Sequence, residues 1–182
     1  MKPTWKKIKS KIVHENPWYK IREDDVIRPD GSSGKYFVLD GINSVAVIVK
    51  DDDYNFYLVE QTRYPIGNIL SLEVVTGGIK GTKDPLEVAK CELQEEIGAT
   101  AESWTSLGYF FPVNGYDAEK CHVFLATGLT LGKNNPEATE DITIVKLNKK
   151  KLISKIQDNS ISDGITVAAF YKYLLYEERE IP

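Results

Sequence analysis

Three glutamates lie close together in the middle of the chain, at positions 92, 95 and 96. On an α-helix, residues three and four apart share a face, so Glu92, Glu95 and Glu96 would project their carboxylates to one side. Like charges at this spacing repel one another, and a cation would relieve the repulsion. Carboxylate oxygens are hard ligands that suit Mg²⁺, or alternatively Mn²⁺, rather than zinc. The spacing therefore indicates a site for a divalent metal ion.

An acidic run of this kind is also typical of a solvated helix face, and its surroundings decide between the two interpretations. A glycine-rich turn at 76–81 precedes the predicted helix and lets the backbone approach a ligand closely. Pro85 suits the first turn of a helix, and Gly98 follows where helices commonly end. This order of elements favours a functional site over a plain structural module with a solvated acidic helix.

The overall composition narrows the classes of partner. The 182 residues carry a formal net charge of −4 and are 42% hydrophobic, which suits one globular domain with a small appendage. This charge leaves no basic surplus for a nucleic-acid backbone, so we expect no nucleic-acid partner. Cys91 and Cys121 lack the spacing of a disulfide or metal motif and predict free thiols in a reducing compartment. With neither a signal-peptide pattern nor an apolar run of about 20 residues, we expect a cytoplasmic protein without a membrane partner.

Many short strand-like runs and a few helical segments predict an α+β or α/β sandwich with a mixed sheet. Helices are predicted at 84–97, where Leu86, Ala89, Leu93 and Ile97 form an apolar stripe, and at 149–157 and 163–178. Strands are predicted at 11–14, 18–21, 35–39, 44–50, 56–61, 69–75, 104–111, 122–126 and 141–147. The first strands form a small antiparallel sheet, which divides the chain into a subdomain at 1–41 and a main domain at 42–182.

The segment from Gly77 to Ala99 resembles the Nudix box, whose pattern is G-x5-E-x7-R-E-U-x-E-E-x-G-U with U a bulky aliphatic residue. Its first glycine, its later glutamates and its last glycine match in register. Lys83 stands where the pattern has its first glutamate, and Cys91 stands where it has arginine. Further segments are similar to the ADP-ribose pyrophosphatase branch of that family, namely 18, 29–31, 61–65 (QTRYP), 72–77 (LEVVTG), 139–142 and 161–166.

The resemblance implies the Nudix fold, an α/β/α sandwich with a mixed sheet between helices, together with a small N-terminal antiparallel sheet. It implies that Glu92 and Glu96 are the principal metal ligands, with Glu95 as a further ligand or as an acid behind the ligands. The backbone carbonyl near Thr76 matches another metal ligand of this branch.

The resemblance also implies contacts with a nucleotide substrate. Arg63 and Glu73 match substrate-side positions, and Arg63 is a candidate for contact with a phosphate. Members of this branch are often homodimers that exchange their N-terminal sheets. Trp18 is therefore a candidate for stacking against a base, within one subunit or across the dimer.

Hydrolysis needs a base within hydrogen-bond reach of the attacking water. The candidates are Glu140 and Glu137, in the polar loop before the last predicted strand, and then Glu95. An ordinary polar loop explains the first two equally well.

Two functions follow from the resemblance. The first is Mg²⁺-dependent hydrolysis of the pyrophosphate bond of ADP-ribose or a related nucleoside diphosphate sugar, which yields a nucleoside monophosphate and a sugar phosphate. The alternative is a Nudix domain with weakened or lost catalysis that binds a nucleotide as a sensor or scaffold. The intact glutamates favour the enzyme, whereas Lys83 and Cys91 favour the alternative.

Overall fold

The computed structural model describes residues 4–132 and 141–180, which divide into two compact units. The first unit comprises the described residues up to Ile42 together with Phe111–Lys120. The second comprises Asn43–Phe110 and the described residues from Cys121 onward. No helix in these described ranges is long and apolar enough to cross a membrane.

The first unit contains a three-stranded antiparallel sheet of β1 (Lys6–Glu15), β2 (Lys20–Ile27) and β3 (Ser33–Asp40), in that order. Strand β1 starts before the predicted 11–14 because its antiparallel ladder with β2 extends back to Lys6, opposite Ile27. The strand predicted at 18–21 was wrong at its start. There the Asn16 side chain accepts hydrogen bonds from the backbone N–H groups of Trp18 and Tyr19, which makes a turn.

The second unit is built on a seven-stranded mixed sheet. Its strands are β4 (Ser44–Lys50), β5 (Asn55–Arg63), β6 (Ile69–Glu73), β7 (Val75–Gly78), β8 (Ala99–Phe110), β9 (Cys121–Leu131) and β10 (Thr143–Asn148). The order along the sheet is β10-β5-β4-β9-β8, while β6 pairs with β5 and β7 pairs with β4. Strands β4 and β9 are parallel, and the other pairs are antiparallel.

Helices cover both faces of this sheet, as the predicted sandwich requires. They are α1 (Pro85–Glu92), α2 (Lys149–Gln157) and α3 (Gly164–Glu180), with a short 3-10 turn at Tyr64–Ile66. Alternate residues of β4 point to opposite faces. Val45, Val47 and Val49 pack with the apolar side of α1, while Ala46 and Ile48 pack with α2 and α3.

The strand predicted at 69–75 is two strands with different partners, β6 on β5 and β7 on β4. The break falls at Val74, whose backbone N–H donates a 3.0 Å hydrogen bond to Thr166 Oγ1 on α3. A strand residue whose N–H is taken by a helix cannot continue the ladder. The break therefore places Glu73 and Thr76 on separate strands.

Candidate active site

The acidic segment is an α-helix that ends in a wider turn. Asp84 caps α1 by accepting hydrogen bonds from the backbone N–H groups of Leu86 and Glu87 at 2.9 and 3.3 Å. From Leu93 to Ile97 the chain forms a π-helical turn, which Gly98 ends in the left-handed conformation with φ 72°. The prediction of one regular helix over 84–97 was therefore wrong in its last part, although its apolar stripe is confirmed as core.

The π turn gives the three glutamates different environments. Glu96 is buried at 4% exposure, Glu92 is half-buried and Glu95 is exposed. All three still line one cavity of about 570 Å³, together with Arg63 and Thr76. The structure thus brings together five of the residues predicted for the site.

Glu92 lies directly against the backbone of β7. A Cβ atom built at Gly77 would lie 2.0 Å from the carboxyl carbon of Glu92, far inside van der Waals contact. Only glycine at position 77 lets the carboxylate occupy this place. The sequence shows only that the glycine turn precedes the acidic helix at a fixed spacing. In the structure the two are in direct contact, through Gly77 and Glu92.

Arg63 is fixed by Glu73. Its Nε donates to Glu73 Oε1 at 2.9 Å, and its terminal nitrogen NH2 donates to Oε2 of the same carboxylate. The Glu73 side chain is 5% exposed, whereas that of Arg63 is 41% exposed and reaches the cavity. These hydrogen bonds, together with the charges of Glu73, Asp163 and Glu96, raise the pKa of the Arg63 guanidinium above its ordinary value although burial opposes the rise. Glu73 therefore holds a permanent cation in place.

A second cavity of about 440 Å³ shares Arg63 and Thr76 with the first. Glu73 lines it, as do Ser162 and Asp163 at the start of α3. The sequence resemblance covered 161–166 without giving these residues a role in the site. Their only signal was the pattern Ser-Asp-Gly ahead of a helix, which is typical of helix capping as well.

The remaining predicted residues are placed as follows. Trp18 lies in the first unit and is 76% exposed, and its stacking role stays a prediction. Glu137 and Glu140 lie outside the described residues. The two departures from the box, Lys83 and Cys91, both line the first cavity.

The donor chemistry of the first cavity fits a hard divalent cation. Within the described part of the chain, no three acidic, histidine or cysteine side chains converge closely enough to hold a metal ion. The cavity is nevertheless lined by more acidic than basic side chains, and the space at Gly77 admits the Glu92 carboxylate against the backbone. Glu96 is a buried carboxylate, and burying such a charge is costly unless positive charge compensates it. Arg63 interacts electrostatically with Glu96, and a divalent cation would add further positive charge.

Comparison with known proteins decides the family. A family model of the NUDIX domain matches residues 42–160, more than half of the chain. The chain belongs to the Nudix family. A second model, the nucleoside diphosphate sugar hydrolase N-terminal domain, matches residues 5–39. Nudix hydrolases generally use divalent metals.

Curated relatives match this Nudix chain at moderate identity. The methanol dehydrogenase activator of Bacillus methanolicus is 29% identical over 95% of this chain and 94% of its own. The ADP-ribose pyrophosphatase of Bacillus subtilis (strain 168) is 27% identical over 85% of this chain and 84% of its own. The ADP-ribose pyrophosphatase of Mycobacterium tuberculosis (strain ATCC 25618 / H37Rv) is 32% identical over 67% and 59%.

A solved structure described as an ADP compounds hydrolase superposes with a TM-score of 0.84, at 19% identity, over 100% of this chain and 97% of that one. This likeness confirms the predicted fold. The prediction of a Nudix pyrophosphohydrolase is confirmed by the domain match and its relatives.

Proposed function

We propose that this Nudix enzyme hydrolyses the pyrophosphate bond of ADP-ribose or a related nucleoside diphosphate sugar. The products would be a nucleoside monophosphate and a sugar phosphate. The observation that carries the proposal is the position of Arg63, which Glu73 fixes where an acidic cavity meets a second cavity. Such a junction suits a substrate with a pyrophosphate between two larger groups. Two of the relatives are named ADP-ribose pyrophosphatases.

The metal of this proposal is Mg²⁺, with Mn²⁺ as an alternative. Glu92 and Glu96 would hold it, with Glu95 and the backbone carbonyl of Thr76 as further ligands, and all four residues line the first cavity. When bound, such ions neutralise phosphate oxygens and lower the pKa of a water molecule.

The chain's own side chains orient the substrate. Arg63 has N–H groups that Glu73 leaves available, and these can donate to a phosphate while the carboxylate keeps the guanidinium from turning away. The second cavity receives the group on the far side of Arg63. Trp18, of the same subunit or of the partner subunit in a dimer, is the candidate for stacking against the base. Glu140, Glu137 or, third, Glu95 takes a proton from the attacking water.

The active form in this proposal is a cytoplasmic homodimer. Strand β1 is an edge strand of ten exposed residues and carries large apolar side chains, among them Ile8, Ile12 and Val13. Exposed apolar groups on a sheet edge favour association with a second copy. Cys91 and Cys121 are not joined by a disulfide bond, which suits a reducing compartment.

The alternative is a domain that binds the nucleotide with little or no turnover. It is favoured by the presence of Lys83 and Cys91 in the wall of the first cavity, where the family pattern has glutamate and arginine.

One assay separates the two functions. The protein is incubated with ADP-ribose and a panel of nucleotide sugars, with Mg²⁺ or with a chelator, and monophosphate release is measured. Release that requires metal, is lost in Glu96→Gln and persists in Glu178→Gln, an exposed carboxylate on α3, supports the hydrolase. Binding measured by calorimetry without release supports the alternative.

A further inference from the structure

Two lysines lie at the rim of the first cavity. Lys80 and Lys83 are exposed, and both line the same cavity as Glu92, Glu95 and Glu96, which together form its glutamate wall. They belong to the loop between β7 and α1. Within the described residues, neither lysine forms an ion pair or a hydrogen bond. Two ammonium groups without an ion-pair partner among the described residues thus share this cavity with the carboxylates.

The acidic residues closest to these lysines in sequence are engaged elsewhere. The Asp84 carboxylate accepts the backbone N–H groups that begin α1. Glu87 forms a 2.7 Å ion pair with Lys90 on the same helix. Lys80 and Lys83 therefore do not pair with Asp84 or Glu87.

The loop holds both lysines at the cavity because it is anchored on each side of them. Ile79, just before Lys80, is buried, and its backbone N–H donates a 2.7 Å hydrogen bond to the carbonyl of Asn43. Asp84, just after Lys83, is fixed as the cap of α1. Only three residues separate one anchor from Lys83, so the ammonium groups remain within reach of the cavity.

We propose that Lys80 and Lys83 bind the phosphate of the pyrophosphate that the glutamate wall does not engage. This proposal rests on the proposed function and assigns a subsite within it. A pyrophosphate has two phosphates, and the cavity is lined by two chemically different kinds of charged group. The glutamates suit a phosphate that arrives with divalent cations, whereas the lysines suit a phosphate held by direct charge attraction. The two lysines are then specificity-determining residues for a diphosphate over a monophosphate.

The decisive experiment measures binding without turnover. Methylenediphosphonate, a pyrophosphate analogue that cannot be hydrolysed, and orthophosphate are titrated calorimetrically into the protein with Mg²⁺ present. In Lys80→Ala/Lys83→Ala we expect affinity for the diphosphonate to fall about tenfold, since each exposed charge contact changes an equilibrium constant up to about fivefold. Affinity for orthophosphate should change less than twofold. Lys150→Ala/Lys151→Ala, which removes two exposed charges from α2, is the matched control and should bind as the wild type does.

Steady-state kinetics give a second readout. In Lys80→Ala/Lys83→Ala, KM for a nucleoside diphosphate sugar that the enzyme hydrolyses should rise about tenfold, while kcat stays within twofold of the wild-type value. The proposed subsite is refuted if Lys80→Ala/Lys83→Ala binds the diphosphonate as tightly as the control variant does. It is also refuted if the affinities for the diphosphonate and for orthophosphate fall by the same factor. It is also overturned if the wild type does not bind the diphosphonate, or if only kcat changes. Normal diphosphonate binding without turnover of any nucleotide sugar would instead refute the proposed hydrolysis. The proposed binding of a diphosphate by Lys80 and Lys83 would then still stand.

Discussion

The Glu92 carboxyl group occupies the space that a Cβ atom at Gly77 would fill. This contact joins the glycine turn to the acidic helix, and the lack of a side chain at position 77 leaves room for the carboxylate. The position of Glu92 thus depends on the absence of a side chain at Gly77.

Gly77→Ala tests this contact. The new methyl group must displace Glu92, which we expect to lower the free energy of unfolding by about 1–3 kcal/mol. Activity should fall about a hundredfold, because displacement of a catalytic group by roughly 1 Å can cost that much. Thermal melts and kcat/KM measure both effects. Gly77→Ala/Glu92→Ala should regain part of the stability but none of the activity, and an additive double variant would contradict the contact.

Glu73→Gln tests whether the carboxylate positions Arg63. The substitution keeps the shape of the side chain but removes the charge that holds the guanidinium, so we expect kcat/KM to fall about 10-fold to 100-fold. In Arg63→Lys, kcat/KM should fall at least as far, because lysine cannot donate two parallel hydrogen bonds. If Glu73→Gln alone left the kinetics unchanged, Arg63 would need no support from Glu73.

Thr166→Val tests the break between β6 and β7. Valine has the shape of threonine but leaves the buried N–H of Val74 without its acceptor, which should destabilise the protein by about 1–3 kcal/mol. Thr166→Ser keeps the hydroxyl and is the control, with a smaller loss expected. Chemical denaturation measures both variants, and a loss of stability in Thr166→Val no larger than that in Thr166→Ser would show that the hydrogen bond contributes little.

Asp24 predicts a pH dependence of stability. The hydrogen bond from Ser10, aided by Arg22, lowers the pKa of this buried carboxyl despite desolvation. A depressed pKa in the folded state stabilises the protein above the unfolded pKa of about 3.9, and the contribution is lost as pH falls through the folded value. Asp24→Asn should therefore be about 1–2 kcal/mol less stable than wild type at neutral pH. The gap should close below about pH 4, and a gap independent of pH would contradict the shift.

The departures from the box can be reversed. Lys83→Glu/Cys91→Arg restores the carboxylate and the guanidinium of the family pattern in the cavity wall. We expect Mn²⁺ affinity, measured by electron paramagnetic resonance, to rise about tenfold, as one added charge pair allows. Unchanged Mn²⁺ affinity would show that neither departure weakens the metal site.

The sequence predicted the elements whose pattern is local. The apolar stripe of α1, the bounds of α2 and the cluster of Glu92, Glu95 and Glu96 in one cavity all follow from spacing along the chain. The gathering of Arg63 and Thr76 at the same cavity followed from family resemblance.

What the sequence did not predict depends on contacts between distant residues. The division of the strand at Val74 depends on a hydroxyl 92 residues away. The full length of β1 depends on its pairing with the neighbouring strand β2. The π turn at Leu93–Ile97 has the composition of an ordinary helix, so periodicity cannot reveal it. Lys83 departs from the Nudix box and Lys80 belongs to no motif. Only their position in the lining of the first cavity suggests a role for them.

The parallel pairing of β4 with β9 has a consequence for synthesis on the ribosome. Residues 44–49 of β4 take their partners at 121–126, so one side of this central strand stays open while the intervening residues are made. Long-range pairing of this kind slows folding and leaves an apolar edge accessible to other chains. A nascent chain arrested before Cys121 already carries the complete acidic helix but lacks the neighbour that closes the sheet. We expect such truncated chains to aggregate or recruit chaperones, so the enzyme would mature only after its second half emerges.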